Sequence, residues 1–180
     1  MILRVILAGL YIITILFSVE FTTYAQPYGQ GKYSANVPYG SQTQLSINTS
    51  GDLAMSINPS SGSTLGTTSG TVTVTSSDVS GYSLYARANG SSSMINGSAV
   101  LGASSNVSAG ALAVNTWGYN LDASTNFLGL TTSDSLLKTT SAPATTGDTT
   151  TVTYGVKIDT SKPAGAYTSS VLYTAIPRTN

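Results

Sequence analysis

The sequence predicts an all-β fold, a single antiparallel β-sandwich, and three observations carry that expectation. Apolar side chains recur at every second residue in six or more short segments, the period of a half-buried strand. Gly, Ser, Asn and Pro separate those segments, as turns between strands require. Serine and threonine make up nearly a third of the chain, yet they alternate with Val, Ile, Leu and Tyr instead of joining with proline in a stalk. A sheet with a hydroxyl-rich outer face and an apolar inner face accounts for all three.

The chain begins with Met1-Ile2-Leu3-Arg4, then an apolar run from Val5 to Val19 interrupted only by Thr14 and Ser18. Thr23 and Ala25 place small residues where a signal peptidase reads them, so residues 1–25 read as an export signal cleaved after Ala25. The competing reading is an uncleaved anchor. The run is about 15 residues, short of the ~20 a spanning helix needs, and Glu20 closes it. No stable membrane span is therefore expected after cleavage. Residues 26–42, "QPYGQGKYSANVPYGSQ", show no overall period of 2 or 3.6 and read as a flexible N-terminal arm, which could instead lie along the domain as an extra edge strand. Such an arm could pair with a neighbour's sheet edge and drive self-association.

Residues 43–180 form the expected domain. Leu45 and Ile47, then Leu53, Met55 and Ile57, flank Asn48-Thr49-Ser50-Gly51-Asp52 and suggest a hairpin. "TVTVTS" alternates Val72 and Val74 with threonine. "GYSLYARA" sets Tyr82, Leu84 and Ala86 against Tyr85 and Arg87. "TWGYNL" alternates Trp117, Tyr119 and Leu121. "TVTYGVKID" gives Val152, Tyr154, Val156 and Ile158, and "AYTSSVLYTAI" gives Tyr167, Ser169, Val171, Tyr173 and Ala175. Two short helical turns are predicted, one within 104–113 and one over 133–138, where Asp134 and Lys138 match the helix dipole.

Two aromatic residues define the candidate sites. In "DTSKPAGAYTSSVLYTAI", Asp159 ends one strand, Pro163 and Gly165 shape a turn, and Tyr167 opens the next strand. That is the layout of a tyrosine corner, in which the phenol bonds back to upstream backbone. Trp117, the only tryptophan, admits two readings. It plugs a core, or it forms a sugar-stacking platform with Tyr119, Tyr85 and Asn120.

The inventory of reactive groups is narrow. Without His or Cys there is no imidazole base, thiolate, disulfide or Cys/His metal site. Beyond the leader every acid is aspartate (Asp52, Asp78, Asp122, Asp134, Asp148, Asp159), and their spacing suggests no catalytic pair. No enzyme activity, cofactor or metal is expected. Seven basic and seven acidic residues, 8% of the chain, leave no cationic cluster for nucleic acid. Lys157, a candidate for an isopeptide crosslink, alternates outward from its strand. Asn48, Asn89, Asn96 and Asn106 stand in Asn-x-Ser/Thr triplets that read as turns.

The run "NTWGYNLD…FLGL…LLKTTSAPATTGDTTTVTYGVKIDTSKPAGAYTSSVLYTAI" resembles the exported Thr/Ser-rich, Ig-like surface domains of Saccharibacteria and related bacteria. The likeness covers residues 70–176. The chain is more distantly similar to WxL cell-wall-binding domains through Ala164-Gly165-Ala166-Tyr167 and the alternating strand after it. It departs from them where Gly118-Tyr119 follows Trp117 and where a tyrosine, Tyr173, replaces the second tryptophan. The resemblance implies an Ig-like Greek-key sandwich at the cell surface. It makes a cell-surface or cell-wall component, or another protein, the expected partner. The resulting expectation is a noncatalytic, adhesin-like or envelope-associated module. Glycan binding and a filament subunit assembled by strand addition are the alternatives.

Overall fold

The computed structural model describes residues 13–20 and 43–178. The expected arm, residues 26–42, lies outside them, as does the rest of the expected leader. Every regular element among the described residues is a strand. In chain order these are β1 (Ile13–Glu20), β2 (Gln44–Thr49), β3 (Ser56–Ile57), β4 (Thr64–Ser77), β5 (Gly81–Ala88), β6 (Met94–Asn96), β7 (Ala99–Ala103), β8 (Thr116–Asn120), β9 (Ser135–Thr139), β10 (Asp148–Ile158) and β11 (Tyr167–Arg178). They pair in the order β2-β4-β10-β8-β7-β6-β11-β1-β3, with β5 joining β11 to β9. All pairs are antiparallel except β1 with β11 and β7 with β8.

The path doubles over into a sandwich-like arrangement because both halves have one apolar face. Val72 and Val74 of β4, Trp117 of β8, and Val152, Tyr154, Val156 and Ile158 of β10 supply one side of the core. Tyr82, Leu84 and Ala86 of β5 and Tyr167, Val171 and Tyr173 of β11 supply the other. The period-2 pattern of these strands is thus the burial pattern. Phenols carry the only polar atoms of several large core side chains, and each finds a partner. Tyr154 and Tyr173 hydrogen-bond to each other across the core. Burial pushes the Tyr154 phenol well above its usual range and Tyr173 up to about 12, so both are neutral donors and acceptors. Tyr82 donates to Asp148 Oδ2 at 2.7 Å, and Lys138 Nζ donates to Asp148 Oδ1 at 2.6 Å.

Three local expectations are corrected. Residues 104–113 make no helix: the segment runs irregularly across the sheet, and Asn106 ties it to backbone carbonyls. Residues 135–139 form β9, because pairing with β5 and the packing of Leu137 against the core outweigh a weak dipole signal. The 43–57 segment is not a hairpin. β2 pairs with β4 over Gln44–Thr49, whereas β3 pairs with β1, so the turn at 48–52 carries the chain between the two faces.

Strand β10 is also covered on its outer side. Gly155 faces Gly118 across the β10–β8 ladder, and the ring of Phe127 lies over this glycine pair. A Cβ added at Gly155 would meet the Phe127 ring at 2.5 Å, and one at Gly118 would strike the Leu128 carbonyl. Phe127 is wholly buried. This second layer hides Thr153 and Asn120 as well.

Gly155→Ala should therefore lower the unfolding free energy by about 2 kcal/mol, the usual scale of overpacking. In a Phe127→Ala background the same change should cost clearly less, as denaturant unfolding of the four variants will read. Asp148 should make stability pH-dependent. The Lys138 ammonium and then the Tyr82 hydroxyl hold its carboxyl below the usual carboxylate range. Its contribution is present above the unfolded value of ~3.9 and lost as pH falls through the lower folded value. Asp148→Asn should cost about 1–3 kcal/mol at pH 7, and the gap from wild type should close near pH 2 in thermal melts.

Candidate functional site

The side chains expected to form a sugar platform do not converge. Trp117 is fully buried, its ring centroid 6.3 Å from that of Tyr154, and its Nε1 donates to the Ser92 carbonyl at 2.9 Å. The indole is a core plug with a satisfied N–H, and Trp117 as a ligand contact is withdrawn. Asn120 is also buried. Its Nδ2 donates to the carbonyls of Ser124 and Asn126 at 2.8 and 3.1 Å, pinning the loop after β8. Tyr85 sits half-buried in β5, the neighbour of Thr174 and Leu136, on the face turned away from the core. Leu121, expected inside, is 41% exposed because β8 ends before it. The platform fails because β8 is enclosed on both faces.

Tyr119 alone of the four borders a depression. It is nearly buried, and burial raises its phenol, an effect partly offset by its hydrogen bond with Ser135. Ser135 belongs to β9 and Tyr119 to β8, and both border the same depression on the flank of the sandwich. There a groove of about 340 Å³ opens, lined by Ser104, Asn106, Val107, Leu128, Thr131 and Ser135 around Tyr119.

The groove walls are built by backbone. The Ser104 amide donates to the Trp117 carbonyl, the Gly129 amide to the Asn106 carbonyl, and Tyr119 and Leu128 exchange two bonds. Gly129 has to be glycine, since a Cβ there would collide with the Ser104 carbonyl. Asn106 Nδ2 lies within 3.1–3.2 Å of the carbonyls of Gly110, Ala111 and Phe127, clamping its own loop to the Phe127 segment. Val107 stands 97% exposed at the rim. The lining offers hydroxyls, amides and short apolar walls, with no Asp, Glu, Lys or Arg side chain. It can hold a neutral polar group by hydrogen bonding, and nothing in it transfers a proton near pH 7. Sequence reasoning missed Ser104, Asn106, Gly129 and Ser135. The only signal was the Asn-x-Ser triplet at 106, which reads as a turn whatever the tertiary contacts.

At the expected corner, the bond from the tyrosine to upstream backbone is present. Tyr167 Oη donates to the Pro163 carbonyl at 3.0 Å, four residues upstream. Asp159 Oδ1 receives the Ser161 amide at 2.9 Å, the Ser161 hydroxyl at 2.5 Å and Asn115 Nδ2 at 3.1 Å. The Ser161 contacts, foremost, hold the Asp159 carboxyl below its usual range. Gly165 takes φ +148°, and a Cβ there would strike the Asn96 side chain. These contacts give the corner a structural role.

A broader feature lies on the outer face of β2, β4 and the first half of β10. Ser46 and Asn48, then Ser69, Thr71, Thr73 and Thr75, then Thr149 and Thr151 stand in register across three strands. Hydroxyls bond across the ladder, Thr73 to Thr149 and Ser69 to Thr153, each at 2.9 Å. These bonds hold a row of hydroxyls in fixed positions with no charge among them.

No protein-family model matches the chain, and a search of curated proteins found no similar sequence.

Asn106→Ala should remove the clamp, lowering stability by about 1–3 kcal/mol. The amide of Gly129 should then exchange with solvent much faster, while the Trp117 fluorescence stays blue-shifted. A red-shifted indole would instead mean that the groove and the main core open together.

Proposed function

We propose that the chain is an exported, noncatalytic surface module, adhesin-like or envelope-associated, with an Ig-like Greek-key sandwich that presents a neutral contact face. The observation that carries this reading is the ordered, charge-free Ser/Thr surface of β2, β4 and β10. Its hydroxyls are spaced by the sheet, and their geometry is set before any partner arrives. Preorganised groups lose little conformational entropy on contact. Without charge there is no long-range steering, so recognition rests on shape and short hydrogen bonds and varies little with salt. The tyrosine corner at Tyr167 supports the Ig-like topology, since that device pins strand crossings in Greek-key sandwiches.

Glycan binding is the second reading, and the flank groove favours it over the withdrawn Trp117 platform. The groove has the volume of a small-ligand site, in the range from ~300 Å³ upward, and its lining suits a neutral sugar ring.

Thr75→Arg with Thr151→Arg should leave the melting temperature within a few degrees, because both side chains are exposed on the sheet face. Retention of the protein on intact producing cells should fall at least tenfold. Unchanged retention, with soluble cell-wall glycans still bound, would shift the weight to the groove.

A further inference from the structure

We propose that the edge of β11 is a strand-acceptor site, held by β1 in the full chain and taken by residues 33–39 of the same chain once the leader is removed. The inference rests on the export reading of residues 1–25. β1 lies parallel to β11, from Ile15 beside Tyr167 to Glu20 beside Leu172. Beyond Leu172 the same edge of β11 has no strand beside it among the described residues, while β5 fills the opposite edge as far as Arg178. Cleavage after Ala25 takes β1 away and removes the strand that pairs this edge from Tyr167 to Leu172, and a strand edge without its neighbour is a template for a new strand.

The chain between β1 and β2 contains a replacement. Within the arm, Tyr33, Ala35, Val37 and Tyr39 alternate with Ser34, Asn36 and Pro38. Ile13, Ile15, Phe17 and Val19 alternate with Thr14, Leu16 and Ser18 in the same way across β1. Val37 precedes a proline and is thereby biased to extended backbone. Pro38 fits an edge strand if its missing N–H points away from β11.

Direction and length favour the chain's own arm over that of a second copy. β11 runs toward Arg178, whose carbonyl receives the Ser80 amide. β2 starts at the same end, with Gln44 beside Ser77. A strand parallel to β11 therefore finishes where β2 begins, and only Gly40-Ser41-Gln42-Thr43 need cross between the sheets. If Tyr39 stands beside Ala175, the link must rise about 10 Å along the strand and cross ~10 Å between sheets, and five residue steps reach about 17 Å. That register sets Tyr33 against Ser169, Ala35 against Val171, Val37 against Tyr173 and Tyr39 against Ala175, so large side chains face small ones. A tethered strand also competes at an effective concentration in the millimolar range, which a free second copy does not match.

The test uses the full chain with its own leader, produced in a secreting bacterial host. The protein contains no cysteine, so Ser34→Cys with Ser170→Cys reports one contact. The exported protein should start after the leader and, on mild oxidation, form the disulfide within a monomer in most molecules. Ser34→Cys alone should give none. An exported chain that starts after the leader but gives no intramolecular disulfide, or only covalent dimers, overturns the exchange while the export reading stands. The dimers would place a second copy on the edge. A purified chain that still starts at Met1 ends both readings.

Discussion

Burial of β10 on both faces is the constraint from which the rest of the structure follows. It lies between β4 and β8, and it points Val152, Tyr154, Val156 and Ile158 into the main core. A strand enclosed on its inner face alone could carry any side chain outward. Here the outer positions differ along its length. Thr149 and Thr151 meet solvent, Thr153 is covered, and Gly155 makes room for Phe127. The glycine pair at 155 and 118 gives up side-chain packing at two positions, and one large ring fills the space. That exchange anchors the loops on either side of Phe127 and, through them, the groove. The same strand delivers the Tyr154 hydroxyl to Tyr173, so the two halves of the sandwich are joined by a directional bond as well as by apolar contact.

Neutrality recurs at every level. The ionic contacts among the described residues are few, and Arg87 with Asp134 is a solvent-exposed pair of small energetic weight. The phenols of Tyr82, Tyr154, Tyr167 and Tyr173 and the indole of Trp117 are each bonded to a carbonyl, a carboxylate or another phenol. Aromatic side chains of this type bring large buried area with one polar atom apiece. A chain without cysteine has no disulfide to offset a weak core, so area must come from such residues. The outside then needs solubility without charge, and Ser and Thr on strands provide it while keeping β propensity.

The strands β4, β5, β8, β10 and β11 were legible because each carries its own alternation. β5 begins and ends where the alternation of Tyr82, Leu84 and Ala86 does. β8 and β11 follow their aromatic and aliphatic periods closely, and the corner at Tyr167 could be read from Asp159, Gly165 and the tyrosine together. What was not legible depends on distant partners. Leu53, Met55 and Ile57 alternate like a hairpin arm, but nothing local says that β2 prefers β4. The stretch 104–113 has helix-compatible alanines, and only Phe127 and Leu128, far along the chain, decide that it runs as a covering loop. Trp117 illustrates the same limit. Its inward direction followed from alternation, whereas the enclosure of the neighbouring Asn120 came from a second layer with no period of its own.

On the export reading proposed above, the N-terminal apolar run serves two physical roles with one pattern. An export signal needs a run of apolar residues of roughly the length found between Val5 and Val19, and the machinery that reads it responds to hydrophobicity more than to order. A sheet edge responds to order. It accepts a strand whose side chains alternate, and residues 13–20 alternate well enough to lie parallel to β11 for six residue pairs. The two demands do not exclude each other, because they act on the chain at different times. A segment that satisfies both covers the acceptor edge for as long as it remains attached. If the leader is removed as proposed, the β11 edge loses its partner strand, and a bare edge invites pairing with other chains. A nearby segment with the same alternation, joined to β2 by four residues, is the least costly way to close that edge, since its tether has already fixed where it can go.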